Sequence, residues 1–358
     1  MDGAAEARSV YFSSLMKTPI LAITMGDPGG IGPEIILKTF HQQKLNPRTS
    51  YVIFGSLAPF KKMLVRFRPR LPFEILPAWN PKLLKPGRLF FVNTTSESGF
   101  DPGRVSKRNA HLAFLALEAA AKAAVAGEVQ AIVTAPIHKT AMRLMDRKFL
   151  GHTEYLAAAA KVKSFAMMFV SKRLKVTLVT IHVPIKKVSE LITRDRVFEK
   201  IRLTHEFLKK YFPLKHPKMA VTALNPHGKE TGTEDEAEIR PAVEKAQKSG
   251  IHAVGPLSAD QLFYDAYEGR FDAVVSMYHD QALGPFKMIA FKEGVNVTLG
   301  LPFIRTSPDH GTAFDIAYKG KADPSSFLSA LRLAEQLVHR EKQGRRRKKR
   351  EEKGFHEE

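Results

Sequence analysis

ILAITMGDPGGIGPEIILKTF, residues 20–40, is the stretch on which the fold turns. Ile20–Thr24 is a short continuous apolar run, the mark of a strand buried on both faces. A glycine- and proline-rich turn follows, then a helix expected from about Pro33 to Phe40, because proline suits a first helical turn. The same order recurs along the chain. Tyr51–Phe54 reads as a second strand and Phe73–Leu76 as a short one, while residues 109–126 form an Ala-rich helix leading to the strand Ala131–Thr134. Phe165–Val170 and Lys175–Ile181, split by Ser-Lys-Arg-Leu, suggest an antiparallel pair. Further helices are expected near 195–212, 236–248 and 324–342. Such alternation predicts an α/β fold with a mostly parallel or mixed sheet. The first turn has neither the Gly-x-Gly-x-x-Gly spacing nor a Walker lysine, so a Rossmann or P-loop site is not expected. Asp27 and Glu34 within it are candidate polar site residues.

The chain has 358 residues and is 44% hydrophobic, enough for two domains or one large one. No apolar run approaches a membrane span. Residues 1–15 lack the basic start and apolar core of a signal peptide, and read as an extension ahead of Met16. Cysteine is absent, which excludes disulfides and thiolate ligands and fits a cytoplasmic enzyme. The formal net charge is +20, concentrated in residues 61–88 and in the unbroken run Arg345–Arg350. That charge favours polyanions in general. No nucleic-acid module accompanies it and the run holds no aromatics, so a nucleic-acid partner is not expected.

Three histidines stand just past strand-like runs: His182 after Lys175–Ile181, His227 after Met219–Leu224 and His279 after Ala273–Met277. Residues at strand ends project from the sheet edge where open α/β folds place ligands. Three neutral imidazoles make a catalytic metal set with positions left for substrate, and Asn225 and Asp280 lie alongside. Gly151-His152-Thr153-Glu154 opens a helix with Thr153 as its cap, a seat for phosphate or carboxylate. Residues 279–313, dense in Gly, Pro, Asn and Thr, read as a functional loop carrying Lys287, Asn296 and Arg305. Lysine there can exchange a proton with a hydroxyl, and arginine can clamp an anion. Asp309–Asp315 reads as a polar turn entering a helix. From the residues alone this is a metal-assisted enzyme for a small anionic substrate.

Taken together, ITMGDPGGIGPE, TAPIHK, GHTEYLA, LNPHG, GPLSAD, MYHDQ, GVNVTLGLPFIRTSPDHGTAFDIA and KGKADPSSF resemble the 4-hydroxythreonine-4-phosphate dehydrogenase family over roughly Pro19 to Leu337. The resemblance implies a two-domain fold like isocitrate and isopropylmalate dehydrogenases, with mixed sheets and not Rossmann. The expected division is 16–134 plus 301–340, then 135–300, with 341–358 a charged tail. It implies a divalent metal (zinc, cobalt or magnesium) on His182, His227 and His279, at a homodimer interface where the ligands need not come from one subunit. Imidazoles suit zinc, cobalt or nickel better than magnesium. Substrate contacts fall on His152, Thr153, Lys287, Asn296 and Arg305, and Asp260 and Asp280 match acids near the metal. His310, Gly311, Thr312, Ala313 and Asp315 match the segment that holds the adenosine of NAD or NADP. The implied reaction is NAD-dependent oxidation and decarboxylation of 4-phosphooxy-L-threonine, with Lys287 as base. A paralogue acting on a four-carbon sugar-acid phosphate or a dihydrodiol carboxylate is the alternative. One departure is the loop Gly228–Glu234, shorter than the family's and carrying an inserted lysine.

Overall fold

The computed structural model describes residues 18–68, 71–143, 149–228 and 230–354, with side chains as far as Gly344. The expected extension, residues 1–15, and the side chains of the run Arg345–Arg350 lie outside the described residues. The strands are β1 (Ile20–Thr24), β2 (Ser50–Gly55), β3 (Glu74–Leu76), β4 (Leu89–Asn93), β5 (Ala131–Thr134) and β6 (Ala166–Val170). They continue as β7 (Lys175–Leu178), β8 (Met219–Thr222), β9 (Ala253–Leu257), β10 (Ala273–Ser276), β11 (Val295–Leu299) and β12 (Ile304–Pro308). The helices begin with α1 (Gly32–Gln42), α2 (Leu57–Phe67), α3 (Lys107–Val125), α4 (Lys139–Arg143) and α5 (His152–Ala159). After them come α6 (Val188–Leu191), α7 (Arg194–Tyr211), α8 (Arg240–Lys248, entered through a π turn at Asp235–Ile239), α9 (Ala259–Tyr267), α10 (His279–Ala290) and α11 (Ser325–Gly354).

The described residues divide into two compact units, one made of those up to Lys161 with those from Leu301 onward, the other of Val162–Gly300. Residues 135–161, expected in the second unit, thus belong to the first. The cause is local packing: α3 lies against both α4 and α5, and Phe114 meets Tyr155 edge-on at 5.5 Å.

In the first unit the strand order is β3-β4-β2-β1-β5-β12, every pair parallel. Leu21, Ala22, Ile23, Tyr51, Val52, Ile53 and Phe54 are wholly buried, which is why these runs are continuously apolar rather than alternating. Phe60, Phe73 and Phe91 form an aromatic cluster beneath α2. In the second unit the order is β11-β6-β7-β10-β8-β9. Here β6-β7 is antiparallel, as the short Ser-Lys-Arg-Leu connection requires, β11-β6 is antiparallel as well, and the rest are parallel. Both units are α/β, and the strands of the second pair in mixed directions.

Three expectations change. Residues 279–313 are not a long loop: α10, β11 and β12 occupy most of them. Helix α10 buries Ala282, Leu283, Phe286 and Ala290, a helical spacing that seats Phe286 against Phe169 at 5.7 Å. Gly284-Pro285 in its middle hides that pattern, because both residues disfavour helix. Second, α11 runs to Gly354 rather than ending near 342. Third, Asp309–Asp315 enters a series of turns, and the next helix starts only at Ser325.

The turn between β1 and α1 shows why its glycines are there. Gly26 has φ +70°, and a Cβ on it would lie 2.3 Å from the Pro136 carbonyl oxygen. A Cβ on Gly32 would lie 2.2 Å from the Met25 carbonyl oxygen, a backbone atom with nowhere to go. Glu34 is structural rather than a site residue. Its buried carboxylate accepts the Ala322 N–H at 2.9 Å and pairs with Lys38 at 2.8 Å, tying α1 to the chain ahead of α11. Gly32→Ala is therefore expected to lower stability by about 2–3 kcal/mol, read from denaturant unfolding. An unchanged midpoint would show that the turn can relax.

Candidate functional site

In the second unit, parallel pairing carries two histidines to one place. Strands β7 and β10 are in register through Leu178 and Ser276. The pairing then continues past the strands: Val179 N–H donates to Ser276 O at 2.8 Å, and Thr180 N–H and Oγ1–H both donate to Met277 O, at 3.1 and 2.8 Å. Two residues further on in each chain stand His182 and His279, with ring centroids 5.6 Å apart. Asp280 accepts from His279 Nδ1 at 2.8 Å, which leaves Nε2 as the ring's lone-pair donor.

His227 sits apart from this pair. Its backbone is left-handed, φ 56°, and Gly228 follows at φ 69°, closing a turn with Gly228 N–H on Asn225 O. A non-glycine residue is held in that conformation only when its surroundings insist. The surroundings are Asp235, wholly buried, whose carboxylate accepts from Leu224 N–H at 2.7 Å, Asn225 N–H at 3.1 Å and Asn225 Nδ2 at 2.9 Å. Hydrogen bonds from the Ser258 hydroxyl and the Gln261 N–H hold Asp260 below the ordinary carboxylate range. Among the described residues no three His, Asp or Glu side chains converge closely enough to hold a metal. The donor chemistry still fits a divalent cation: two accessible imidazoles face each other, one oriented by a carboxylate. Lys287 is half-buried on α10, and Asn296 lies on β11 with its Oδ1 buried and without a hydrogen-bond partner among the described residues.

In the first unit Arg305, on β12, is buried at 3% exposure. Its Nη2 donates to Thr134 Oγ1 at 2.8 Å and its Nη1 reaches Thr153 Oγ1 at 3.4 Å. Burial pulls the guanidinium down to about 10, against a slight opposing pull from Glu154. His152 lies beside it with Nε2 sealed from solvent and unpartnered among the described residues. Burial first, then the charges of Arg305 and Lys139, keep that imidazole neutral, well below its usual range. Thr153 is not the helix cap expected of it. Gly151 occupies that position, and the Thr153 hydroxyl turns to Arg305 instead.

In the segment His310–Asp315, expected from the resemblance to meet adenosine, Thr312 is buried and its carbonyl accepts the Ile31 N–H at 2.9 Å, so the segment is fastened to the β1–α1 turn. Ala313 is left-handed at φ 42°, and Gly311 and Asp315 are exposed. His310 Nδ1 donates to the Gly311 carbonyl at 3.1 Å, leaving a buried Nε2 acceptor unused among the described residues.

Sequence reasoning missed Asp235 and Gln281. Asp235 lies in an acidic cluster that looks like any exposed first helical turn. Gln281 was visible only as the last letter of MYHDQ. It accepts at Oε1 from Thr222 Oγ1, Ser276 Oγ and Met277 N–H, and donates from Nε2 to Ala223 O.

Asp27 is 1% exposed, with Oδ1 accepting the Gly29 N–H at 2.9 Å and Oδ2 without a partner among the described residues. Burial raises its carboxyl from 3.8 to about 7. Between those values the folded protein binds a proton that the unfolded chain releases, so stability falls as pH rises through the window and levels off above it. Asp27→Asn is expected to remove that fall, on the order of 4 kcal/mol across the window, in unfolding followed from pH 4 to 8. The same slope in the variant would place the titration elsewhere.

A profile of the family described as "Pyridoxal phosphate biosynthetic protein PdxA" matches residues 49–334. The chain is 41% identical over 325 residues to the 4-hydroxythreonine-4-phosphate dehydrogenase of Geobacter metallireducens, a match spanning 89% of this chain and 96% of the relative. It is 40% identical over 325 residues to the D-threonate 4-phosphate dehydrogenase of Pectobacterium atrosepticum, spanning 89% and 99%. The crystal structure of 4-hydroxythreonine-4-phosphate dehydrogenase from Klebsiella pneumoniae superposes with a TM-score of 0.80 at 35% identity, again over 89% of this chain and 99% of that one. Sequence and fold thus agree over nearly the whole length of both partners, and the chain belongs to the PdxA family of pyridoxal phosphate biosynthetic proteins.

Proposed function

We propose that this protein is a metal-assisted, nicotinamide-dependent dehydrogenase that oxidises and decarboxylates 4-phosphooxy-L-threonine to 3-amino-2-oxopropyl phosphate, a step of pyridoxal 5′-phosphate biosynthesis. The observation that carries this reading is Arg305: a buried guanidinium between two threonine hydroxyls, beside a neutral histidine. A cation held that way suits a small dianion, because its orientation is fixed and its charge is poorly screened. Arg305, Thr153 and His152 then bind the anionic substrate, with Lys139 adding charge nearby.

His182, His227 and His279 would hold the divalent metal, with zinc or cobalt suiting the imidazoles best. When bound, the ion polarises the substrate hydroxyl and stabilises developing negative charge on oxygen. Lys287 takes the hydroxyl proton, and Asp280 keeps His279 in the tautomer that presents Nε2. NAD or NADP would supply the hydride acceptor and would lie with its adenosine at His310–Asp315, where the buried Nε2 of His310 offers an acceptor. Asn296 and Asp260 line the same chemistry as polar contacts.

A homodimer completing the metal set across two copies accords with His227 standing apart from His182 and His279. It also accords with the apolar end of α10, where Met288 is 83% exposed and Phe291 just beyond it 74%. Among the described residues no helix is long and apolar enough to cross a membrane. A cytoplasmic location is part of the proposal.

D-threonate 4-phosphate is the second substrate to weigh, since a relative at 40% identity carries that name. It keeps the carboxylate, the C3 hydroxyl and the phosphate and has a hydroxyl in place of the amine. The test is NADH formation by EDTA-stripped and zinc- or cobalt-restored protein, with each substrate in turn. Metal-dependent turnover of 4-phosphooxy-L-threonine, reduced about 100-fold or more in His227→Ala, is the expected result. Turnover of D-threonate 4-phosphate alone would move the assignment to that substrate, and no turnover of either would overturn it.

A further inference from the structure

We infer that Gln281 is a positioning residue that sets where His227 stands relative to His279. The inference rests on the proposed metal ligation by the three histidines. Strands β8 and β10 are parallel neighbours, paired as far as Val221 and Val275. Beyond that point the two chains part, one running through Ala223 to His227 and the other through Met277 to His279. The Gln281 side chain crosses the gap between them. On its own side Oε1 accepts from Ser276 Oγ–H at 2.8 Å and Met277 N–H at 2.9 Å. On the far side Oε1 accepts from Thr222 Oγ1–H at 2.9 Å and Nε2 donates to the Ala223 carbonyl at 2.7 Å.

This arrangement allows one orientation of the amide. Flipped, it would set NH₂ against the Met277 N–H and oxygen against the Ala223 carbonyl. Three donors on one oxygen also leave it no capacity for a metal or a substrate, so Gln281 acts only through its neighbours. The loop from Ala223 to His227 is thereby suspended between two clamps. Gln281 holds its start, and Asp235 holds Leu224 and Asn225 from the other flank. Only a primary amide serves here. A carboxylate would keep the inner contacts but oppose the Ala223 carbonyl, pushing the His227 arm outward while leaving His182 and His279 in place.

The test is cobalt(II) binding to the full-length protein, followed by calorimetry and by the visible d–d absorption of the bound ion. Gln281→Glu, His227→Ala and His182→Ala are measured singly, then Gln281→Glu is combined with each histidine variant. Gln281→Glu is expected to weaken cobalt binding about 10–100-fold and to alter the absorption bands. Combined with His227→Ala it should cost little more than His227→Ala alone, because both remove the same arm. Combined with His182→Ala the losses should multiply. Wild-type-like affinity in Gln281→Glu, or multiplying losses in both combinations, would overturn the inference. If the wild-type protein takes up no cobalt, the ligand assignment itself falls, and this inference with it. Should Gln281→Glu fail to fold, Thr222→Val removes one donor from the same oxygen and carries the same cycle.

Discussion

Every parallel strand stops with amide and carbonyl groups that its neighbours no longer pair, and buried backbone groups must find partners. Both candidate regions are built from the way this chain meets that demand. In the second unit the β7–β10 ladder is extended by Val179 and Thr180 onto Ser276 and Met277, which delivers His182 beside His279. Where β8 and β10 part, Gln281 and Asp235 take over the same role with side chains. In the first unit the β1–α1 turn gives the Asp27 N–H to Pro136 O and the Ile31 N–H to Thr312 O, fastening three loops together. Chemistry-bearing side chains stand at these edges because the edges are where structure has been improvised.

Burying charge is the second constraint, and the chain answers it in different ways. Glu34 is satisfied by two backbone amides and Lys38, and so belongs to the scaffold. Asp27 instead keeps its proton toward neutrality, since burial outweighs its one backbone hydrogen bond. Arg305 retains its charge between hydroxyls, with a neutral His152 beside it. Such a set favours an incoming anion over a neutral ligand.

Much of this was legible in the sequence. Continuous apolar runs marked β1, β2, β3, β5, β6, β8 and β10 within a residue or two, while the run to Ile181 overshoots β7 by three residues and β4, β9, β11 and β12 were not expected as strands. The histidines just past three of these runs stood out because strand ends face ligands. Two signals failed for physical reasons. Gly284-Pro285 masks the helix from His279 to Ala290, whose formation rests on burying Leu283 and Phe286 rather than on local propensity. Thr153 has the chemistry of a helix cap, but a tertiary contact with Arg305 claims its hydroxyl. Asp235 and Gln281 could not be ranked, because their importance lies in which distant amides they reach. The histidines illustrate the limit most clearly: spacing along the chain said that each ends a strand, not that two would meet and the third stand apart.

The central claim is that His182, His227 and His279 bind one kind of metal ion. Anomalous diffraction from crystals grown with zinc or cobalt tests it most directly. The expected map shows a strong anomalous peak within bonding distance of His182 and His279 nitrogens, with a His227 from the same copy or a second one completing the set. A metal-loaded crystal with its peaks elsewhere, and these three imidazoles bare, would contradict it.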